Sequence, residues 1–170
     1  RSEVTHDIAT AAPVRALSAT LDRDDPQPQS GDALPACWHW LYFLPAHRQS
    51  EIGPDGHAKR GGFLPPVPLP RRMWAGSRLE FTAPLRVGQR IVRTSRIDDV
   101  RLKEGRTGPL VFVKVAHVIT GDDRLAINEV HDIVYRDLAP APNAEPAPAG
   151  TPAPSNAEWT RRITPDDVLL

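Results

Sequence analysis

Cysteine is almost missing from this chain of 170 residues, with Cys37 the single example. One thiol excludes an intrachain disulfide framework and a thiolate-rich zinc site, and Cys37 is read as a small hydrophobe. No histidine pairs stand at ligand spacing, so no metal cofactor is expected. Net charge is lacking too, because 21 basic residues balance 21 acidic ones. Without a net field there is no electrostatic case for nucleic acid or an anionic membrane as partner. No apolar run approaches the ~20 residues of a membrane span. Lysine is scarce, three against 18 arginines. Acids intersperse those arginines and no recognition-helix or RNA-binding word occurs, so the bias reads as genome composition. The polar start at Arg1 is followed by no apolar signal region, which gives a cytoplasmic expectation.

Proline is what the chain has in excess: 19 of 170 residues, about twice the usual ~5% share. Where the prolines fall divides the chain. In residues 1–25, Pro13 followed by Val14, Leu17 and Leu21 predicts one short amphipathic helix that ends by Pro26. Residues 26–75 hold nine prolines, too many for regular sheet or helix. Within them the aromatic run at residues 38–43 predicts a strand. Gly53-Pro54-Asp55-Gly56 predicts a turn, and residues 61–74 a rigid apolar loop. Residues 76–138 hold only Pro84 and Pro109 and read as four strands, at about 78–86, 90–103, 110–120 and 124–137. Helix, loops and a strand meander together make an α+β domain.

Six prolines return in residues 139–154, a composition that favours semi-rigid polyproline II over packing. Thr164-Pro165-Asp166-Asp167 reads as a helix start with only three residues after it. The expected organisation is a domain at 1–138, a Pro/Ala-rich linker at 139–157, and at 158–170 the start of a truncated second unit.

Several words carry a family resemblance. They are Trp38-His39-Trp40-Leu41-Tyr42-Phe43-Leu44-Pro45, Gly53-Pro54-Asp55-Gly56-His57 and Arg60-Gly61-Gly62-Phe63-Leu64-Pro65-Pro66. With them go Pro70-Arg71-Arg72-Met73-Trp74-Ala75-Gly76, Pro84-Leu85-Arg86-Val87-Gly88, the run from Glu104 to Val113, and His131-Asp132-Ile133-Val134-Tyr135-Arg136. Together they resemble the N-terminal half of the double-hotdog, MaoC-like hydratases and dehydratases, and within these the fumaryl-type acyl-CoA hydratases. The resemblance implies a hotdog fold, an antiparallel sheet wrapped around a helix. It implies a hydro-lyase that reversibly adds water to a 3-methylfumaryl-CoA-like enoyl thioester. As partners it implies the acyl-CoA substrate, a second hotdog half in the same polypeptide or another chain, and a homo-oligomer such as a dimer.

Catalytic halves of that family carry an Asp-x-Asn-x-x-His-like word after the first helix. Residues 22–29 here supply acids but neither Asn nor His. The resemblance therefore places the catalytic pair in a C-terminal half and names no catalytic residue on this chain; Asp24 and Asp25 read as capping or turn acids. Binding is what remains. Phe63, Met73 and Trp74 would build an acyl-pocket wall. Arg71 and Arg72, then Arg60, would hold the free carboxylate of a C4 dicarboxylic acyl group. His57 and Lys59 would meet CoA phosphates. Plainer roles stand beside these: a double arginine is often a solvated pair, His39 a histidine bonded to backbone, and His117 and His131 partners in local hydrogen bonds. Trp38, Trp40 and Phe43 fit a core or interface. The alternative function is a non-enzymatic acyl-thioester-binding or assembly module, with a free-standing thioesterase third.

Overall fold

The computed structural model describes residues 1–53, 56–59, 61–106 and 108–137. The expected linker and second unit, and Arg60, lie outside the described residues. Among those described, the elements are β1 Ser2–Ile8, α1 Ala11–Thr20, β2 Arg71–Phe81, β3 Arg90–Gly105, β4 Gly108–Gly121 and β5 Arg124–Arg136. Two short 3-10 turns, Trp38–Leu41 and Gln49–Glu51, lie between α1 and β2. No helix among the described residues is long and apolar enough to cross a membrane.

Period-two patterning builds the sheet. Val113, Val115, His117 and Ile119 of β4 are buried, while Val118 between them is exposed, so one face is packed and the other wetter. The strands are antiparallel in the order β1-β3-β4-β5-β2. Cross-strand partners share a face. Ile119 opposes Ile127, His117 opposes Glu129 and Val113 opposes Ile133 on that packed inner face. Two apolar clusters cover it. One joins Ile91, Ile119 and Ile127 to Leu34, Tyr42 and Phe43; the other joins Val113, Val115 and Tyr135 to Val67. α1 adds Ala11 and Val14 at one end, and Pro13 sits in its first turn, where a missing N–H leaves no bond unmade. This is the expected hotdog arrangement of antiparallel sheet and one helix. The proline-rich segment supplies most of the cover.

Three local expectations are corrected. Residues 38–43 are not a strand. Trp38–Leu41 is a 3-10 turn bracketed by Cys37 at φ 69° and Phe43 at φ 57°, left-handed conformations that no strand passes through. Strand preference reflects packing on a pleated surface; here the aromatic run packs onto the sheet from above. Next, β2 begins at Arg71, not near 78, and ends at Phe81. Arg71 to Trp74 pair with β5 as soon as the prolines stop. Met73 and Trp74 therefore lie on a strand rather than in a loop. Finally, β1 was not expected. Its Val4 and Ile8 are exposed, so it carries no buried stripe, and its place depends on backbone pairing with β3.

The end of the 38–41 turn is tied down from β1. The Phe43 N–H donates to Asp7 Oδ2 at 2.7 Å, and the Tyr42 hydroxyl donates to the Thr10 carbonyl at 2.6 Å. Asp7→Ala leaves the half-buried Phe43 N–H unpaired and is expected to cost about 1.5–3 kcal/mol, read by urea unfolding. A loss under ~0.5 kcal/mol contradicts this anchoring role.

Candidate functional site

Several polar residues occupy the buried phase of the sheet, and five of them lie on the three central strands. They are Arg93 and Ser95 of β3, His117 of β4, and Glu129 and His131 of β5. Ser95, His117 and Glu129 stand opposite one another in a single row across three strands. The 38–41 turn lowers His39 and Trp40 onto that row.

Glu129 is 3% exposed and fully bonded. Trp40 Nε1–H donates to Oε1 at 2.9 Å, His131 Nε2 reaches Oε1 at 2.6 Å, and His39 Nε2 reaches Oε2 at 3.2 Å. Burial alone would push this carboxyl's pKa up. The hydrogen bonds from His131, His39 and Trp40 outweigh it and hold the pKa well below the usual carboxylate range. An ionised carboxylate only accepts, so both imidazoles donate through Nε2.

His117 has the opposite environment. Its Nδ1 lies 2.8 Å from Ser95 Oγ. Ser95 is fully buried, and among the described residues His117 is its only side-chain partner. The hydroxyl therefore donates to Nδ1, and the ring proton sits on Nε2. That Nε2 is buried with no partner among the described residues. Burial pushes the His117 pKa down to about 4, helped by nearby His131, Arg93 and His39 and opposed by Glu129. Arg93 is half-buried, its guanidinium 5.0 Å above the Phe43 ring. Burial lowers its pKa, with Glu3 and Glu129 opposing. Its Nε is buried and unpartnered among the described residues.

These groups share a cavity of about 330 Å³, walled by Tyr42, Phe43 and Ile119 and bordered by Arg93, His117 and His131. Trp40 and Trp74 form its rim, 46% and 61% exposed and edge-to-face at 6.3 Å. Apolar walls with a few fixed polar groups suit a small organic ligand. Among the described residues no cluster of three or more His, Cys, Asp or Glu could hold a metal ion.

The expected site residues are dispersed. Trp74 reaches the cavity rim. Strand alternation separates the double arginine: Arg72 opposes buried Tyr135 on the inner face, whereas Arg71 lies on the other phase and is exposed. Met73 is on that outer phase as well, 43% exposed. Phe63 packs in the Val113–Val115 cluster rather than at the cavity. His57 and Lys59 are exposed beside the Ile52–Ala58 bridge. His39 bonds a carboxylate, not backbone, while His117 and His131 make the side-chain bonds described above. Asp25 accepts from Ser18 at 2.8 Å and from Arg23 at 2.7 Å, a brace at the helix end, and Asp24 is exposed. Glu129, Arg93 and Ser95 escaped the sequence reading. Their signal is phase: each is a polar residue on the apolar side of an alternating strand, as Glu129 is between Ile127 and Ile133.

Comparison with known proteins places this geometry. A family model described as hydroxyacyl-thioester dehydratase type 2 matches residues 37–170. The chain is 44% identical over 171 residues to the mesaconyl-C(4)-CoA hydratase of Chloroflexus aurantiacus. That match covers 100% of this chain and 60% of the relative, so the chain spans less than two thirds of the relative's length. Among solved structures, the ChsH1-ChsH2 complex from Mycobacterium tuberculosis matches with a TM-score of 0.58 at 12% identity, over 88% of this chain and 90% of that one. The likeness at that identity is one of fold.

The His117 environment sets a pH window. Between its ordinary value of 6.5 and about 4, the unfolded histidine binds a proton that the folded one does not, so stability falls as pH drops through that range. Relative to wild type, His117→Gln should gain up to ~3 kcal/mol between those limits, at ~1.4 kcal/mol per pH unit. Urea unfolding across the range measures it, and a constant difference contradicts the buried neutral imidazole.

Proposed function

The chain belongs to the hydroxyacyl-thioester dehydratase type 2 family, and on that premise we propose that it is the substrate-binding half of a cytoplasmic hydro-lyase that reversibly hydrates a fumaryl-type enoyl-CoA thioester. The observation that carries this reading is the inner-face cavity, with apolar walls and fixed polar groups. Its volume lies at the low end of ligand pockets, which suits a short acyl group better than a long chain. The relative's own name, a hydratase of mesaconyl-C(4)-CoA, supports the same acyl class.

Hydration adds water at the β-carbon, places charge on the thioester oxygen and returns a proton at the α-carbon. It needs a positioned acid/base, donors for the developing oxyanion, and a substrate held still. This half contributes the third: walls that orient the acyl group and exclude water. The acid/base comes from a second hotdog half, in the same polypeptide or a partner chain. Two observations support that division. Residues 22–29 lack the family's Asn and His, and Asp25 is committed to Arg23 and Ser18.

One observation favours a second reading. His131 is oriented by a buried carboxylate at 2.6 Å and borders the cavity, an orienter–base geometry. In that reading this half carries its own base. The test adds a fumaryl-type enoyl-CoA to full-length protein and follows loss of enoyl absorbance. Turnover is expected, with His131→Gln keeping activity within about tenfold. A loss of ~10²–10⁴ in that variant selects the second reading. No turnover of any short-chain enoyl-CoA overturns both.

A further inference from the structure

Among the described residues three buried nitrogens on residues that line the cavity have no partner: Arg93 Nε, His117 Nε2 and His39 Nδ1. With Ser95 donating to His117 Nδ1 and His39 donating through its Nε2, the first two are N–H donors and the third is an acceptor. A buried donor left unpaired costs stability, so such groups point to something that binds there. Neighbouring groups do not fill the role. Glu129 accepts from Trp40, His131 and His39 and bonds neither of these donors. Ser95 is committed to His117 Nδ1 and is what turns Nε2–H inward. Glu3 opposes Ser95 in register on the edge strand but makes no ion pair with Arg93. Among the described residues Arg93 has no carboxylate in salt-bridge contact; its guanidinium lies over Phe43.

Position identifies the ligand's shape. Arg93 and His117 are diagonal neighbours, since Arg93 opposes Ile119 and Ser95 opposes His117. Diagonal positions lie ~7–8 Å apart, a span that long side chains close. One carbonyl oxygen serves one such donor. A planar group with two acceptor oxygens serves both, and if anionic it also matches the guanidinium. The donors line the wall and the two tryptophans mark the mouth, so the anion is at the far end of a ligand that enters by its tail. A phosphate, bulkier and more strongly hydrated, belongs outside.

The geometry points to Arg93 and His117 as the subsite for the terminal carboxylate of a dicarboxylic acyl monothioester, with Ser95 positioning His117. This deepens the hydratase reading and rests on it. It moves the carboxylate contact expected of Arg71 and Arg72 to a residue on β3.

The test measures kcat/KM of full-length protein for a fumaryl-type enoyl-CoA and for crotonyl-CoA, its methyl-ended counterpart. The ratio of the two is expected to fall roughly tenfold to hundredfold in Arg93→Leu, as for loss of a hydrogen bond to a charged group, and by a smaller factor in Arg93→Lys, which keeps the charge but not the fork. If Arg93→Leu fails to fold, Arg93→Lys carries the comparison. An unchanged ratio in the folded variants overturns the subsite, and so does a wild type that hydrates crotonyl-CoA but not the carboxylated thioester. A wild type that hydrates neither overturns the hydratase reading instead. The subsite is then read by calorimetry with free fumarate: binding by wild type that is lost in the variant supports it, and no binding by wild type overturns it.

Discussion

A carboxylate buried in the middle of an apolar sheet face has to be completely bonded, or the fold loses several kcal/mol to its desolvation. Glu129 is that group, and much of the structure is arranged to satisfy it. One donor, His131, comes from its own strand. The other two, His39 and Trp40, arrive from a turn about 90 residues earlier in sequence. Holding those two fixes the 38–41 turn over the sheet. The chain then descends through buried Tyr42 and Phe43 into the core and is tied to Thr10 and Asp7. The cavity is the space between this roof and the sheet, so the residue that stabilises the roof also defines the binding volume.

The proline-rich segment serves the same end. A ten-residue helix covers only one end of the inner face. Val67, with Phe63 and Leu64, lies over Val113, Val115 and Tyr135 at the other. Prolines restrict the unfolded chain and so lower the entropy cost of ordering an irregular cover. Because the helix is short and the cover irregular, the central part of the face stays open to a ligand. His117 and Glu129 of the polar row border that opening, with Ser95 buried behind His117.

The sequence revealed those parts of the fold whose residues report on themselves. β3, β4 and β5 are long runs bounded by Gly88, the Gly105–Pro109 stretch and Gly121-Asp122-Asp123, and their ends were placed within a few residues. Pro13 and the stripe after it marked α1. Other parts depend on partners distant in sequence. The aromatic run at 38–43 carries strand chemistry, and only Glu129, far along the chain, makes it a turn. β1 has no apolar stripe because both its faces are largely wet and backbone pairing holds it. The double arginine looked like one feature until a strand separated its members by face. At the site itself the legible signal was polar residues in phase with a buried stripe; Glu129 and His117 show it plainly, Arg93 and Ser95 through Ile91 and Ile97. Family words located the fold and chemistry class, whereas those individual side chains emerge only when the strands are aligned in register.

The most direct measurement of this account is the protonation of Glu129 itself. In protein labelled with ¹³C at the glutamate carboxyl carbons, the Glu129 resonance is followed as pH is lowered from neutral towards acid unfolding. The account predicts that it stays ionised through the range where exposed glutamates titrate, near ~4.3, and changes only as the fold is lost. A Glu129 resonance that titrates at or above that ordinary value, with the fold intact, would contradict a carboxylate held ionised by His131, His39 and Trp40, and with it the roof and the cavity built on that anchor.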